Sequence, residues 1–296
     1  LEVVLIKNLG IVGNGRIGSA LGDVFSVNGW KVNYFDNNED ACSVKSLGEL
    51  GDVSDVIIIA APSWVNREIA VKLRSHVSGK LVVTVAKGVE PKFINMAEVL
   101  KEVADGHFDH GVMYGPMLAS EISEKKPAAV LFATSAHKWA NSFKCSSRLQ
   151  IVYNDDPYST ALCGVLKNIF AITLGINDGL KLGHNSKGAL AVGIMDEFQR
   201  LLAELGGQPE QAFGLAGLGD LLATGWSDMS FNHRMGKMIA IDAKSNQPKG
   251  EGVAALKEIK TKVDLKNYPL LNTTYRVVFE DANPLLIAQN LLRPTE

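Results

Sequence analysis

The chain has 296 residues and a formal net charge of −2. That length can hold two domains and a sizeable core, and a balance so close to neutral carries no footprint of a general nucleic-acid binder. Cys42, Cys145 and Cys163 lie far apart with no Cys-x-x-Cys pair. They make no disulfide framework and point to a reducing, cytoplasmic setting. No membrane span is expected, because no run reads as the ~20 apolar residues a spanning helix needs. Val3–Ile6, broken by Lys7 and Asn8, reads as the start of a strand rather than a signal peptide.

Leu9–Val12 is a short β-type run, followed by Gly-Asn-Gly-Arg-Ile-Gly at 13–18 and a predicted helix over Ser19–Val27. Lys31–Phe35 is a second strand, ending in Asp36. Val56–Ala60 is a continuous apolar strand of the kind buried on both faces, and Arg67–Val77 reads as an amphipathic helix. Leu81–Val85, Gly111–Tyr114, Ala128–Phe132 and Gln150–Tyr153 continue the strands. This alternation predicts an α/β fold: a Rossmann-type, doubly wound parallel sheet. The polar, proline-punctuated Asn154–Pro157 is the predicted boundary. Residues 1–155 are then a dinucleotide-binding domain and residues 156–296 an all-helical substrate and catalytic domain. No repeat of fixed period is visible.

The glycine run follows a predicted strand, opens a predicted helix and precedes an acid at the end of the next strand. Gly13 allows the tight turn, Gly15 lets a pyrophosphate approach backbone, and Gly18 lets helix and sheet pack closely. The helix N-terminus offers N–H groups and a positive dipole end to phosphates. Asp36 lies 23 residues after Gly13, near the spacing of about 20 for an acid on the ribose 2′-hydroxyl. A carboxylate there repels a 2′-phosphate, so NAD is expected over NADP. Asn14, Arg16 and Ile17 in the loop, Asn37 beside the acid, and Pro62 after the third strand complete this cofactor set. The loop at 60–63 equally suits a plain connection capped by Ser63.

Lys87 follows a strand in Val-Ala-Lys-Gly, either over the same sheet edge or as a solvated loop lysine. Gly115 and Pro116 follow the next strand, with Met117 and Ala119 behind them; small residues suit close approach, and Glu121 would also favour a helix N-terminus. Lys167 sits in the apolar helical stretch 162–170, with Gly164 and Ala171 on its own face. A buried lysine is expensive unless paired or used as an acid or base; the alternative is one that snorkels out. Asp220, behind Gly214, Gly217 and Gly219, is its natural counter-ion. Ser230, Asn232 and Arg234 either bind an anion or cap a helix. The six histidines show no metal-ligand spacing.

Together these motifs resemble NAD(P)-dependent glycerol-3-phosphate dehydrogenase, nearly collinearly along the chain. The resemblance includes Ala-Lys-Gly (86–88), Gly-Pro-Met-Leu-Ala-Ser-Glu-Ile (115–122), Gly-Val-Leu-Lys-Asn-Ile (164–169), Gly-Leu-Ala-Gly-Leu-Gly-Asp-Leu (214–221), Gly250-Glu251-Gly252 and Tyr-Arg-Val-Val-Phe (275–279). It implies Lys167 as proton acceptor, Lys87 on both substrate and cofactor, and Asp220 as a third member of the catalytic set. It implies substrate contacts at Gly115, Met117, Asp220, Ser230 and Asn232, with Arg234 a nearby cation, and cofactor contacts at Ala119 and Glu251. Two positions depart from the family. Met117 replaces a small hydroxyl or amide residue, and Phe231 stands where an arginine contacts substrate phosphate and cofactor.

The expected function is NAD-dependent, reversible hydride transfer between sn-glycerol 3-phosphate and dihydroxyacetone phosphate. Phe231 keeps open a related dehydrogenase acting on a phosphonate or an unphosphorylated hydroxy compound. A dinucleotide sensor without catalysis is a third reading, which Lys87, Lys167 and Asp220 argue against. The expected partner is a small phosphorylated molecule, not nucleic acid, and the apolar helices of the second domain suit either a homodimer surface or their own core.

Overall fold

The structure, a computed structural model, describes residues 8–143, 148–241 and 248–290; the expected Val3–Ile6 strand and Cys145 lie outside them. The chain divides into two compact units, one of Leu1–Glu90 and Ile94–Ala161, the other of Pro91–Phe93 and Leu162–Glu296.

The first unit is built on strands β1 (Asn8–Val12), β2 (Lys31–Phe35), β3 (Val56–Ile59) and β4 (Leu81–Thr84). A small ribbon, β5 (Val89–Glu90) with β6 (Ile94–Asn95), precedes β7 (Asp109–Tyr114), β8 (Ala128–Ala133) and β9 (Leu149–Asn154). Seven of these strands form one sheet in the order β2-β1-β3-β4-β7-β8-β9. Side chains alternate across it. Leu9, Ile11, Val56, Ile58, Leu81 and Val83 pack into one apolar cluster, while Val12, Ile57, Ile59 and Val82 pack into another. Both faces are therefore dry, which is why these strands read as unbroken apolar runs rather than as alternation. Helix α1 (Arg16–Val27) joins the first cluster; α2 (Leu47–Val53), α3 (Ser63–Leu73) and α4 (Met96–Ala104) cover the second.

The sheet corrects the sequence reading at one place. β7 and β8 are antiparallel, with Tyr114 opposite Leu131. A parallel return needs a substantial crossover, and this link carries only the five-residue helix α5 (Ala119–Ser123). Helix starts also move. α1 begins at Arg16 because Gly15 already serves as its N-cap, and α3 begins at Ser63, directly behind Pro62.

The second unit is helical throughout, as predicted. Its elements are α6 (Pro157–Gly179, begun in the first unit), α7 (Gly183–Glu204), α8 (Asp220–Gly225), α9 (Phe231–Ile241), α10 (Glu251–Ile259), α11 (Pro269–Phe279) and α12 (Leu286–Asn290). By length and composition α6 could cross a membrane, contrary to the sequence reading, but the stretch that qualifies is buried inside the protein as a core helix. It meets α9 at very short range. A Cβ on Gly236 would lie 2.1 Å from the Ile172 carbonyl oxygen, and one on Gly175 2.1 Å from that of His233. Backbone-to-backbone contact of this kind is open only to glycine, and it fixes the height of α9 against α6.

Glu197 on α7 is 3 % exposed and accepts the backbone N–H groups of Leu270 and Leu271 at 2.7 and 2.9 Å, capping the start of α11. Burial pushes its carboxyl up to about 7, outweighing the two N–H bonds that pull it down. A carboxyl raised above its unfolded value contributes stability that is complete below the ordinary carboxylate range and is lost as pH climbs through about 7. Full ionisation costs on the order of 3 kcal/mol by this arithmetic. Glu197→Gln keeps an acceptor but does not titrate. In urea unfolding at about pH 6 and about pH 8.5, the unmodified protein is expected to lose more stability with rising pH than the variant; equal losses would show that Glu197 is not the source.

Candidate functional site

The first unit holds a crevice at the carboxyl ends of β1 and β3, where the strand order reverses around β1. Its floor is the glycine loop. Gly13 has φ +97°, and a Cβ there would lie 2.8 Å from the Ala60 carbonyl oxygen. A Cβ on Gly18 would come within 1.9 Å of the Gly13 oxygen, whereas a Cβ on Gly15 would meet nothing within 4 Å. Two glycines thus close the turn, and the third faces open space in front of α1. No side chain caps α1 and no acid lies in its first turn, so its leading N–H groups and positive dipole end face that space. Arg16 is exposed and Ile17 partly buried on this turn. The cradle fits a diphosphate.

Asp36 is held at the end of β2. Its Oδ2 accepts the Asn14 backbone N–H at 2.7 Å, and its Oδ1 accepts that of Asn38 at 2.9 Å. Asn14 is itself fixed by Nδ2 donating to the Ala41 carbonyl and by Ser19 donating to its Oδ1. A carboxylate has about four lone-pair sites, so Asp36 keeps capacity for ribose hydroxyls. Asp36, Asn37, Pro62, Gly13 and Gly15 line one cavity of about 480 Å³. A second cavity of about 610 Å³ on the far side of Asp36 adds Glu39, Cys42 and Lys45.

Lys87 and Gly115 come together in the same unit, the ammonium donating to the Gly115 carbonyl at 3.3 Å and lying 5.6 Å from the Tyr114 ring centre. The Tyr114 hydroxyl donates to the Ala86 carbonyl, tying the β4 and β7 ends to each other. Met117 is buried in the apolar cluster behind this edge, with Ala119 packed against that cluster. The Met117 side chain therefore serves as core packing.

In the second unit Lys167 and Asp220 form a pair, Nζ to Oδ2 at 3.3 Å, with side chains 5 % and 2 % exposed. The lysine does not snorkel. Asp220 reaches it because residues 215–219 make a π-turn, with the Gly219 N–H bonded to the Gly214 carbonyl, that runs straight into α8. Thr224, one turn along α8, accepts from Lys167 at 3.4 Å and donates to the Asp220 carbonyl at 2.6 Å. Sequence reasoning missed Thr224; its signal was the i, i+4 spacing from Asp220.

The α9 segment divides. Ser230 Oγ accepts the His233 N–H at 3.4 Å, a capping contact. Asn232 is 8 % exposed, and its Oδ1 has no hydrogen-bond partner among the described residues. It faces Gly252 at the head of α10, beside the carbonyl of Asn168. Glu251 opens that helix, adjoining Gly250. Arg234 turns outward and donates to the Asp228 carbonyl at 2.5 Å. The Phe231 ring, 45 % exposed, lies against Gly250. Beneath α9 is a network that the sequence does not reveal. Asp178 Oδ2 receives Lys187 Nζ at 2.6 Å and His233 Nε2 at 2.8 Å. Burial raises the Asp178 carboxyl, but these two hydrogen bonds outweigh it and hold it below the usual range. Among the described residues no group of three or more His, Cys, Asp or Glu stands placed to hold a metal.

A family model described as NAD-dependent glycerol-3-phosphate dehydrogenase C-terminus matches residues 156–289, and its N-terminal counterpart matches 42–140. The N-terminal match begins past the glycine loop and Asp36. A glycerol-3-phosphate dehydrogenase, NAD(P)+, of Acinetobacter baumannii is 32 % identical over 251 residues, 81 % of this chain and 70 % of that protein. Its counterpart in Acinetobacter baylyi is 31 % identical over the same shares. A glycerol-3-phosphate dehydrogenase structure from Coxiella burnetii matches with TM-score 0.83 and 26 % identity, over 97 % of this chain and 99 % of that one. One from Plasmodium falciparum has the same TM-score at 16 % identity, covering 99 % and 96 %, and shares the fold.

Breaking a buried ion pair from one side strands a charge and costs about 3–5 kcal/mol, whereas replacing both partners by apolar groups is often neutral. Asp220→Ala is therefore expected to destabilise the protein more than Lys167→Met combined with Asp220→Leu. Urea unfolding of the single and double variants checks this; additive losses would mean that the two side chains are not coupled.

Proposed function

The chain belongs to the NAD-dependent glycerol-3-phosphate dehydrogenase family, and from that membership we propose that it interconverts sn-glycerol 3-phosphate and dihydroxyacetone phosphate with NAD as its preferred cofactor. The buried Lys167–Asp220 pair carries the reading. An ammonium kept out of water yet tied to a carboxylate suits proton transfer, and a dinucleotide sensor has no use for it. Bound nicotinamide supplies the hydride donor and acceptor. Lys167 gives a proton to the carbonyl oxygen during reduction and takes one from the hydroxyl during oxidation. Asp220 and Thr224 fix the direction of Nζ. In the first unit Lys87, anchored on the Gly115 carbonyl, offers a cation to an anionic ligand. Lys167→Ala is expected to lower kcat by at least ~100-fold, the low end for a general acid or base, with NADH binding little changed. Near-normal turnover by the folded variant would remove Lys167 from the mechanism.

The preference for NAD follows from charge. Asp36 is pinned at the end of β2, and Glu39 joins it around the adjoining cavity, with Lys45 the cation among the described residues of that lining. A 2′-phosphate entering there meets net negative charge. At one ionic strength kcat/KM is expected to favour NADH over NADPH, and Asp36→Ala to narrow the ratio. A preference for NADPH in the unmodified protein would refute the assignment.

Phe231 supports a second reading of the substrate. A phenyl ring against Gly250 cannot make a guanidinium's charged contact, and Arg234, bonded outward to Asp228, does not stand in for it. A charged hydrogen bond to phosphate is worth about 1.5–3 kcal/mol. The KM for dihydroxyacetone phosphate is therefore expected to be high, or an unphosphorylated analogue favoured. Phe231→Arg is expected to improve phosphorylated substrates by roughly one to two decades and neutral ones little. Tight phosphate-dependent binding that Phe231→Arg leaves unchanged would place phosphate recognition elsewhere.

A further inference from the structure

We propose that Trp64 is a cofactor-recognition residue whose indole forms one face of an adenine slot; this rests on the dinucleotide reading of the first unit. Trp64 is 72 % exposed, against 8 % for Trp30, 4 % for Trp139 and 39 % for Trp226. It is not left over at a random surface point. It stands in the first turn of α3 and lines the 480 Å³ cavity that also contains Gly13, Gly15 and Asp36. That volume lies within the ~300–1,000 Å³ typical of small-molecule sites.

The positions of the other groups say which part of the ligand comes to Trp64. The glycine loop and the open end of α1 take the diphosphate, and Asp36 takes the adenosine ribose. Beyond that ribose the ligand ends in a flat, neutral, aromatic base, and the remainder of the cavity is built for one. Its walls are Leu47 from α2 on one side and Val65 and Ile69 from α3 on the other. Helical spacing puts Trp64, Glu68 and Lys72 in the adjacent outer row. Glu68 and Lys72 neutralise each other at 2.6 Å, so the rim presents no unbalanced charge to an uncharged base. Trp64 is the aromatic ring among the α3 residues of this wall, and a purine gains from stacking on such a face regardless of its hydrogen-bond edges.

ADP-ribose, which keeps the adenine and lacks nicotinamide, is the probe. Calorimetric titration is expected to give a dissociation constant on the order of tenfold weaker for Trp64→Ala. Trp64→Phe is expected to recover most of the loss, and Trp64→Leu, apolar but not flat, to recover little. The exposed position leaves no core cavity in any of the three, and matching thermal unfolding confirms that each is folded. ADP-ribose is also expected to quench tryptophan fluorescence in the unmodified protein and to lose that effect in Trp64→Phe. Unchanged affinity in Trp64→Ala, leucine binding as tightly as phenylalanine, or quenching retained in Trp64→Phe would each overturn the assignment while leaving the dinucleotide site in place. If the unmodified protein binds neither ADP-ribose nor NADH, the dinucleotide reading itself fails and takes this one with it.

Discussion

Taking a lysine ammonium and an aspartate carboxylate out of water is expensive, and the local sequence around Lys167 and Asp220 reflects that cost. The Lys167 and Asp220 side chains are 5 % and 2 % exposed, so neither charge is hydrated and each depends on the other. Lys167 needs α6 to run through the interior, which accounts for that helix's apolar composition over a length that passes for a membrane span. Asp220 needs a chain that can turn sharply into α8. A Cβ on Gly217 would lie 2.2 Å from the Ala212 carbonyl oxygen, so a side chain is excluded at that position of the π-turn. Thr224 adds a further polar contact to the pair. An arrangement this constrained gives little stability in return.

The first unit meets a different constraint, the close approach of backbone to an anionic ligand. Placing β1 between β2 and β3 leaves a crevice where their carboxyl ends diverge. Beside the glycine loop it works through main chain and small residues: the Gly13 turn, the open space over Gly15, and the uncapped start of α1. Asp36 adds a side chain there, and its two backbone N–H bonds hold the carboxylate in one direction before any ligand arrives. Preorganisation of this kind lowers the ordering cost of binding.

Legibility in the sequence tracks the range of the interaction. The run Lys31–Phe35 matches β2 residue for residue, and the other runs match their strands to within one or two; β3 and β4, buried along their whole length, are written as continuous apolar stretches. The glycine loop and Asp36 are legible because their spacing is local. Strand direction at β7–β8 is not, since direction depends on the connection rather than on either strand. Lys167 is visible as a charge in apolar surroundings, but Asp220 lies 53 positions away, and only packing proves the contact. The Asp178–Lys187–His233 network is invisible for the same reason: three unremarkable polar residues on three helices meet only after folding. Trp64 gives no signal in the sequence, because a lone exposed aromatic is ordinary until a cavity is found beside it.

That network bears on how the Phe231 departure should be understood. Asp178 near the end of α6 holds His233, and Gly236 presses α9 onto α6 one turn later, so the helix cannot rotate to offer another residue. Position 231 is thereby fixed beside Gly250, and Arg234 is fixed on the outer side, bonded to Asp228. A flexible loop could have moved Arg234 inward to replace the missing guanidinium; a helix locked at two points cannot do so without breaking the buried His233 contact. Asn232, between the two, stays buried with an amide oxygen unpaired among the described residues. An unpaired buried acceptor asks for a donor, which a hydroxyl can supply and a phosphate dianion cannot. The segment therefore offers a buried acceptor that suits a hydroxyl donor, while Phe231 and Arg234 place no cation beside it.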